Sequence, residues 1–163
     1  MANSERKECA RAAQLLLRQA NKASLGTLMP DGSPLVTLIA LATMTYGTPL
    51  SLLSKISAHS RNLMTDPRAS LLIEADDTPD DPMTGARLTL TGKVTALRTN
   101  EVDAAKQSFV ARHPAAAPYD TELDFAYYRF EIAQARFNQG FGRFQKLGPA
   151  ELLNAPTASM NNV

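Results

Sequence analysis

Apolar residues recur along the first part of the chain with two different periods, and the change between them marks where helix gives way to strand. Cys9, Ala13, Leu16, Leu17 and Ala20 share one face at helical spacing, behind a Ser4 that suits a helix cap. From Ala23 the period shortens. Residues 23–29 (ASLGTLM) read as a strand, Pro30-Asp31-Gly32 as a tight turn, and residues 35–43 (LVTLIALAT) as a longer, more buried strand. A second turn at Tyr46-Gly47-Thr48-Pro49 leads into a third strand from Leu50. Ser57 then suits the cap of a short helix, which Asp66-Pro67 stops before a fourth strand over residues 69–74.

The second half repeats these signals. Leu88, Leu90 and Val94 alternate with Thr89, Thr91 and Lys93 in a fifth strand over residues 87–97, with Gly92 at a bulge or close backbone approach. Asn100 is placed to cap a helix whose face is Val102, Ala105, Phe109 and Val110, ending at His113-Pro114, and a loop follows over residues 115–124. Residues 125–137 alternate as the last long strand, with Tyr128, Phe130 and Ile132 opposite Arg129 and Glu131. Residues 140–144 (GFGRF) read as a flexible segment, and Pro149 starts a short helix reaching Leu153. Six strands joined by tight turns predict an α+β, mostly β chain built on a small antiparallel barrel with flanking helices. Residues 1–154 are expected to form one domain, and 155–163 a disordered tail.

Composition narrows the function classes. Lys and Arg number 17 against 16 Asp and Glu, so no basic field points to nucleic acid. Thr37 and the run from Thr43 to Thr48 interrupt the longest apolar stretch, which predicts no membrane span. Cys9 is the one cysteine and has no intrachain partner. Charged Glu5, Arg6, Lys7 and Glu8 occupy the place of a signal peptide's apolar core, so a cytoplasmic protein is expected. Asp76, Asp77, Asp80 and Asp81, among Pro79, Pro82 and Gly85, read as a solvated loop, because their spacing lacks the ligand order of a calcium loop.

The chemistry concentrates in residues 50–73, where strand, polar turn, helix start and strand follow in order. A helix beginning after Ser57 aims free backbone N–H groups and its positive dipole end at whatever lies in front of it. Ser54, Ser57 and Ser60, with Lys55, Arg61 and His59, supply the donors a phosphate requires. The same pattern also suits a capped surface helix with solvated charges.

Four segments, ASLGTLMPDGSPLVTLIAL, LLSKISAHSRNLMTDPRASLLI, RLTLTGKV and NQGFGRF, stand in the order and spacing of the pyridoxamine 5′-phosphate oxidase-like flavoproteins. The chain resembles that FMN-binding split-barrel superfamily from its first helix to about Leu153. It looks most like the haem-utilisation branch, through Ser54 or Ser57 with His59, Asn62 and Leu63, then Arg112-His113-Pro114, then Gly140-Phe141-Gly142. The resemblance implies a six-stranded antiparallel split β-barrel and a homodimer, with FMN at the subunit interface and the isoalloxazine ring across the second strand. It assigns Ser54, Ser57, His59, Arg61 and Asn62 to the phosphate and ribityl side, and Arg87 and Thr43 to the flavin.

Two departures bear on activity. The second strand lacks the basic residues that flank it in true pyridoxamine 5′-phosphate oxidases, and GFGRF stands where those enzymes carry a His-containing substrate clamp. The residues after Leu153 include no His, Cys or Tyr, whereas haem-degrading relatives use an additional C-terminal region to bind haem. The expected function is an FMN-dependent oxidoreductase acting on an unknown small substrate. The alternatives are a haem-binding or haem-degrading protein on the same fold, and a non-catalytic flavin-binding protein. No residue is assigned as catalytic, because in flavin chemistry the cofactor carries the electrons and the protein supplies position and electrostatics.

Overall fold

A computed structural model of the chain describes residues 2–76, 80–121, 124–140 and 142–153. Asp77, Pro79, Phe141 and the tail 155–163, singled out above, lie outside the described residues. Helix α1 (Ala2–Gln19) precedes a hairpin of β1 (Lys22–Leu28) and β2 (Pro34–Ala40). After Leu41 come β3 (Ala42–Thr43), β4 (Pro49–Ser54), α2 (Ala58–Thr65) and β5 (Arg68–Glu74). The second half contains β6 (Arg87–Ala96), α3 (Val102–Arg112), β7 (Phe125–Asn138), β8 (Phe144–Leu147) and α4 (Pro149–Leu152).

All eight described strands join one antiparallel sheet in the order β2-β1-β5-β6-β7-β4-β3, with β8 added to β7. Its two ends are consecutive pieces of chain. The apolar run expected as a single strand over residues 35–43 breaks at Leu41, so its first part pairs with β1 and its last two residues pair with β4. Sequence pattern missed the break because apolar residues continue through it. Three bonds hold the seam: Leu41 N–H donates to the Asn21 carbonyl at 2.9 Å, the Ser51 hydroxyl to the Ala40 carbonyl at 2.9 Å, and His113 Nε2 bonds the Leu41 carbonyl at 2.8 Å. The antiparallel split-barrel architecture expected from sequence is therefore present, with β3 and β8 additional to the six strands.

The core follows from strand alternation. Leu25, Leu71, Leu90, Ala135 and Leu147 form a continuous cross-strand row, and every member is buried. Cys9, Ala13 and Leu17 of α1 join the same core, as their helical spacing predicts. Burial of a leucine such as Leu17 contributes roughly 1.5–3 kcal/mol. On the other side, Phe109 of α3 meets Tyr127 edge-on at a ring separation of 5.9 Å, above Ala42 and Leu50.

Some local expectations change. Ser4 lies within α1 and not before it. Asn100 sits in a 3-10 turn (Thr99–Glu101), whose start is capped by the Glu101 carboxylate accepting from the Arg98 N–H at 3.0 Å, so Asn100 does not cap α3. Part of the expected loop at 115–124 is a 3-10 run, Pro114–Thr121. Ile132 is only half-buried, because the alternation along β7 changes phase there: Thr91 pairs with Gln134 and Gly92 with Ile132, skipping Ala133. The bulge expected at Gly92 causes that change, and it requires glycine. A β-carbon at Gly92 would run into the Glu131 carbonyl. Gly92→Ala is expected to cost more than about 2 kcal/mol, because backbone and not a flexible side chain must yield. Urea unfolding of the variant against the parent chain measures this, and a change below 0.5 kcal/mol, on the order of an ordinary surface substitution, would contradict it.

Candidate functional site

The helix expected to face a phosphate does start at Ser57. Its hydroxyl accepts from the Ser60 N–H at 3.3 Å, donates to the Ser54 carbonyl at 2.7 Å and lies 2.9 Å from the Ser60 hydroxyl. Ser60 is fully buried. Ser57 and Ser60 therefore spend their hydroxyls on building the helix start, while the N–H groups of Ala58 and His59 occupy first-turn positions that have no carbonyl within the helix to bond. Asn62 is also structural: it is buried and its Nδ2 donates to Thr27 Oγ1 at 3.0 Å, fastening α2 to β1. Removal of the amide would leave the Thr27 hydroxyl buried without that partner, at a cost of about 1–3 kcal/mol.

His59 and Arg61 carry the remaining donors. His59 Nδ1 lies 3.0 Å from Thr37 Oγ1, which ties the helix start to β2. Thr37, only a polar interruption of an apolar run in the sequence, is thus part of the site. Its period-2 position opposite Leu25 is the signal that places it on this face. Burial of the ring holds the His59 pKa below its ordinary value, so the neutral imidazole is favoured. Arg61 is exposed, and among the described residues no hydrogen bond or ion pair engages its guanidinium. Just beyond α2, Arg68 forks onto Asp66 at 2.6 Å and holds that carboxyl at about 2, which secures the helix exit.

β2 ends the ladder on one side, so one row of its N–H and C=O groups has no strand beside it, apart from the Ser51 contact at Ala40. Its outward residues Val36 and Leu38 are 67% and 72% exposed. Leu38 also lines a cavity of about 260 Å³ together with Lys22, Leu72, Glu74 and Arg87. Arg87 is fixed there by donating to the Met83 and Gly85 carbonyls at 2.9 and 3.2 Å. The structure brings Ser54, Ser57, His59, Arg61 and Asn62 together, and sets Arg87 of β6 apart from them, in the cavity it shares with Leu38 of β2. Thr43 stands apart, in a different cavity beside Arg18 and Arg112.

His113 is occupied by the Leu41 carbonyl and by the Phe109 ring at 4.8 Å, so the Arg-His-Pro turn closes the barrel. In the acidic loop, Asp81 caps a 3-10 turn by accepting from the Met83 N–H at 2.9 Å. Cys9 is buried in the core and burial pushes its thiol pKa up.

An antiparallel barrel with an open strand edge and a capped helix set against that edge defines the split-barrel class of proteins. Within that class the family described as "CREG, beta-barrel" matches residues 4–154, and the chain belongs to it. The chloroplastic heme oxygenase HOZ of Arabidopsis thaliana is 31% identical over 110 residues, covering 68% of this chain and 33% of its own length. Protein CREG2 of Homo sapiens is 26% identical over 103 residues, or 58% of this chain and 35% of its own length. The chain thus spans about a third of the length of these curated relatives. Among solved structures, a heme binding protein from Mycobacterium smegmatis superposes with a TM-score of 0.83 at 28% identity, covering 88% of this chain and 59% of that one. No helix among the described residues is long and apolar enough to cross a membrane.

The His59 shift has a pH signature. A histidine whose folded pKa is depressed leaves the unfolded chain holding more protons between the two values. Its stabilisation is full above the unfolded value near 6.5 and is lost as pH falls through the folded one. The ligand-free chain is therefore expected to lose melting temperature between about pH 7 and pH 5, with a smaller loss in His59→Gln. Identical slopes in the two proteins would remove His59 as the source.

Proposed function

We propose that the chain binds FMN, with the phosphate at the start of α2 and the heterocycle along the open edge of β2, and that it serves as an oxidoreductase for a small substrate. The observation that carries this reading is the 3.0 Å Thr37–His59 contact, which sets a helix N-terminus against the middle of β2, the strand whose outer edge is unpaired. The two ends of FMN ask for those two features. A phosphate suits first-turn N–H groups and the Arg61 fork, while the pyrimidine end of a flavin carries N–H and C=O groups that match a free peptide edge. With a dianion beside it, His59 is favoured in its charged form, and its Nε2 becomes a donor. Ser57, Ser60 and Asn62 act by fixing α2. FMN, when bound, supplies the electron and hydride chemistry.

A second copy completes the proposal. Val36 and Leu38 stand exposed on the outer sheet face, where they suit a homodimer with the flavin at the junction. Leu38→Glu is expected to shift the protein from dimer to monomer in sedimentation, and an unchanged species would remove this face as the contact.

Haem is the second reading, favoured by the names of HOZ and the mycobacterial protein. The cavity within the barrel measures about 10 Å³, far too small for a macrocycle, so haem would rest on an outer face. A non-catalytic flavin-binding role uses the same site. The visible spectrum separates the ligands: bound flavin gives two broad bands, and added haem an intense Soret band. For FMN, Arg61→Ala is expected to weaken binding by about 1.5–3 kcal/mol while leaving riboflavin binding nearly unchanged, since only the phosphate contact is lost. Equal losses for both flavins, measured by fluorescence quenching, would sink the phosphate assignment.

A further inference from the structure

A second group of donors lies on the other side of the barrel, where the end of α1, strand β3 and the last turn of α3 border a shallow, open cavity of about 470 Å³. Arg18, Asn21, Thr43, Thr45, Ser108 and Arg112 line it beside Met44 and Ala111, and among the described residues no carboxylate does. Both arginines are positioned by contacts that leave donors over. Arg112 donates through Nη2 to the Arg18 carbonyl, one of the free carbonyls in the last turn of α1. The Arg18 guanidinium lies against the turn after β3: a β-carbon built on Gly47 would stand 3.5 Å from its Nη2. Among the described residues no ion pair engages either side chain.

Two guanidinium groups held at one opening repel each other, and an anion between them reverses the sign of that interaction. The neutral donors around them specify the anion. One guanidinium fork already satisfies both oxygens of a carboxylate, whereas two forks with the Thr43, Thr45 and Ser108 hydroxyls and the Asn21 amide suit a group with oxygens in several directions. We propose that this cavity binds a phosphoryl group, free or carried on a small monoester. It is separate from the α2 site and stands whether or not FMN binds there. Thr43, which family resemblance assigns to the flavin, serves here as a hydroxyl ligand.

Amide NMR on the full chain tests this at constant ionic strength, with inorganic phosphate and α-glycerophosphate as the two probes. Saturable shifts are expected at residues 43–47 and 108–112. Arg18→Gln should weaken them by roughly tenfold or more in a folded protein, the scale of one lost charged hydrogen bond, because the Arg18 side chain makes no cap contact. Arg112→Gln should lose binding and melting temperature together. Tighter binding of the ester assigns the site to a phosphorylated metabolite, and equal affinity assigns it to free phosphate. If Arg18→Gln does not fold, Thr45→Val on the exposed turn is expected to weaken the same shifts severalfold. Shifts that stay linear with phosphate, that persist unchanged in both variants, or that appear only at residues 57–61 would overturn the proposal.

Discussion

The barrel depends on the seam at Leu41, where one run of chain changes partners. Before it, β2 completes the ladder on β1; after it, β3 completes the ladder on β4. A sheet of this length would otherwise present two open edges. At the seam the backbone groups leave strand pairing and find other partners: Asn21 at the end of α1, Ser51 from β4 and His113 from the end of α3. Each comes from a different element, so α1, β4 and α3 are all registered by the same few residues. The Arg112 contact with the Arg18 carbonyl adds a further link between α1 and α3 at the same corner.

That closure is partial, and the part left open is the part with chemistry. Among the described residues Ala40 is the one residue of β2 hydrogen-bonded to β4, so the strand edge toward Thr37 keeps peptide groups with no strand beside them, and α2 is placed against it. Burial contributes twice here. Asn62, Thr27 and Ser60 form the dry polar contacts that fix α2, and burial of the His59 ring lowers its pKa and favours its neutral form. The helix start and the strand edge are therefore one rigid unit, with Arg61 as its exposed cation.

The linear pattern made most of the fold legible. The face of α1, the two hairpin turns and the Ser57 cap depend on residues within about one turn or pair of each other, and period and turn chemistry report such contacts directly, while the Gly92 bulge was legible because a glycine inside an alternating strand marks a close backbone approach. The break at Leu41 and strand β8 were not legible. Leu41 is apolar like its neighbours, and Phe144–Leu147 becomes a strand because β7 offers it an edge, not because its own pattern alternates.

The candidate site divides along the same line. By itself the sequence determined which residues stand near one another at the start of α2, because a cap and its first turn are local. Tertiary structure alone decided what each of them does. It committed Asn62 to Thr27, joined His59 to Thr37, set Arg87 of β6 in one cavity with Leu38 of β2, and carried Thr43 to Arg18 and Arg112. Hydrogen bonds and charge pairing depend on distance in space, and a chain that closes a barrel through one broken strand brings together residues whose separation along the sequence says nothing of their contact.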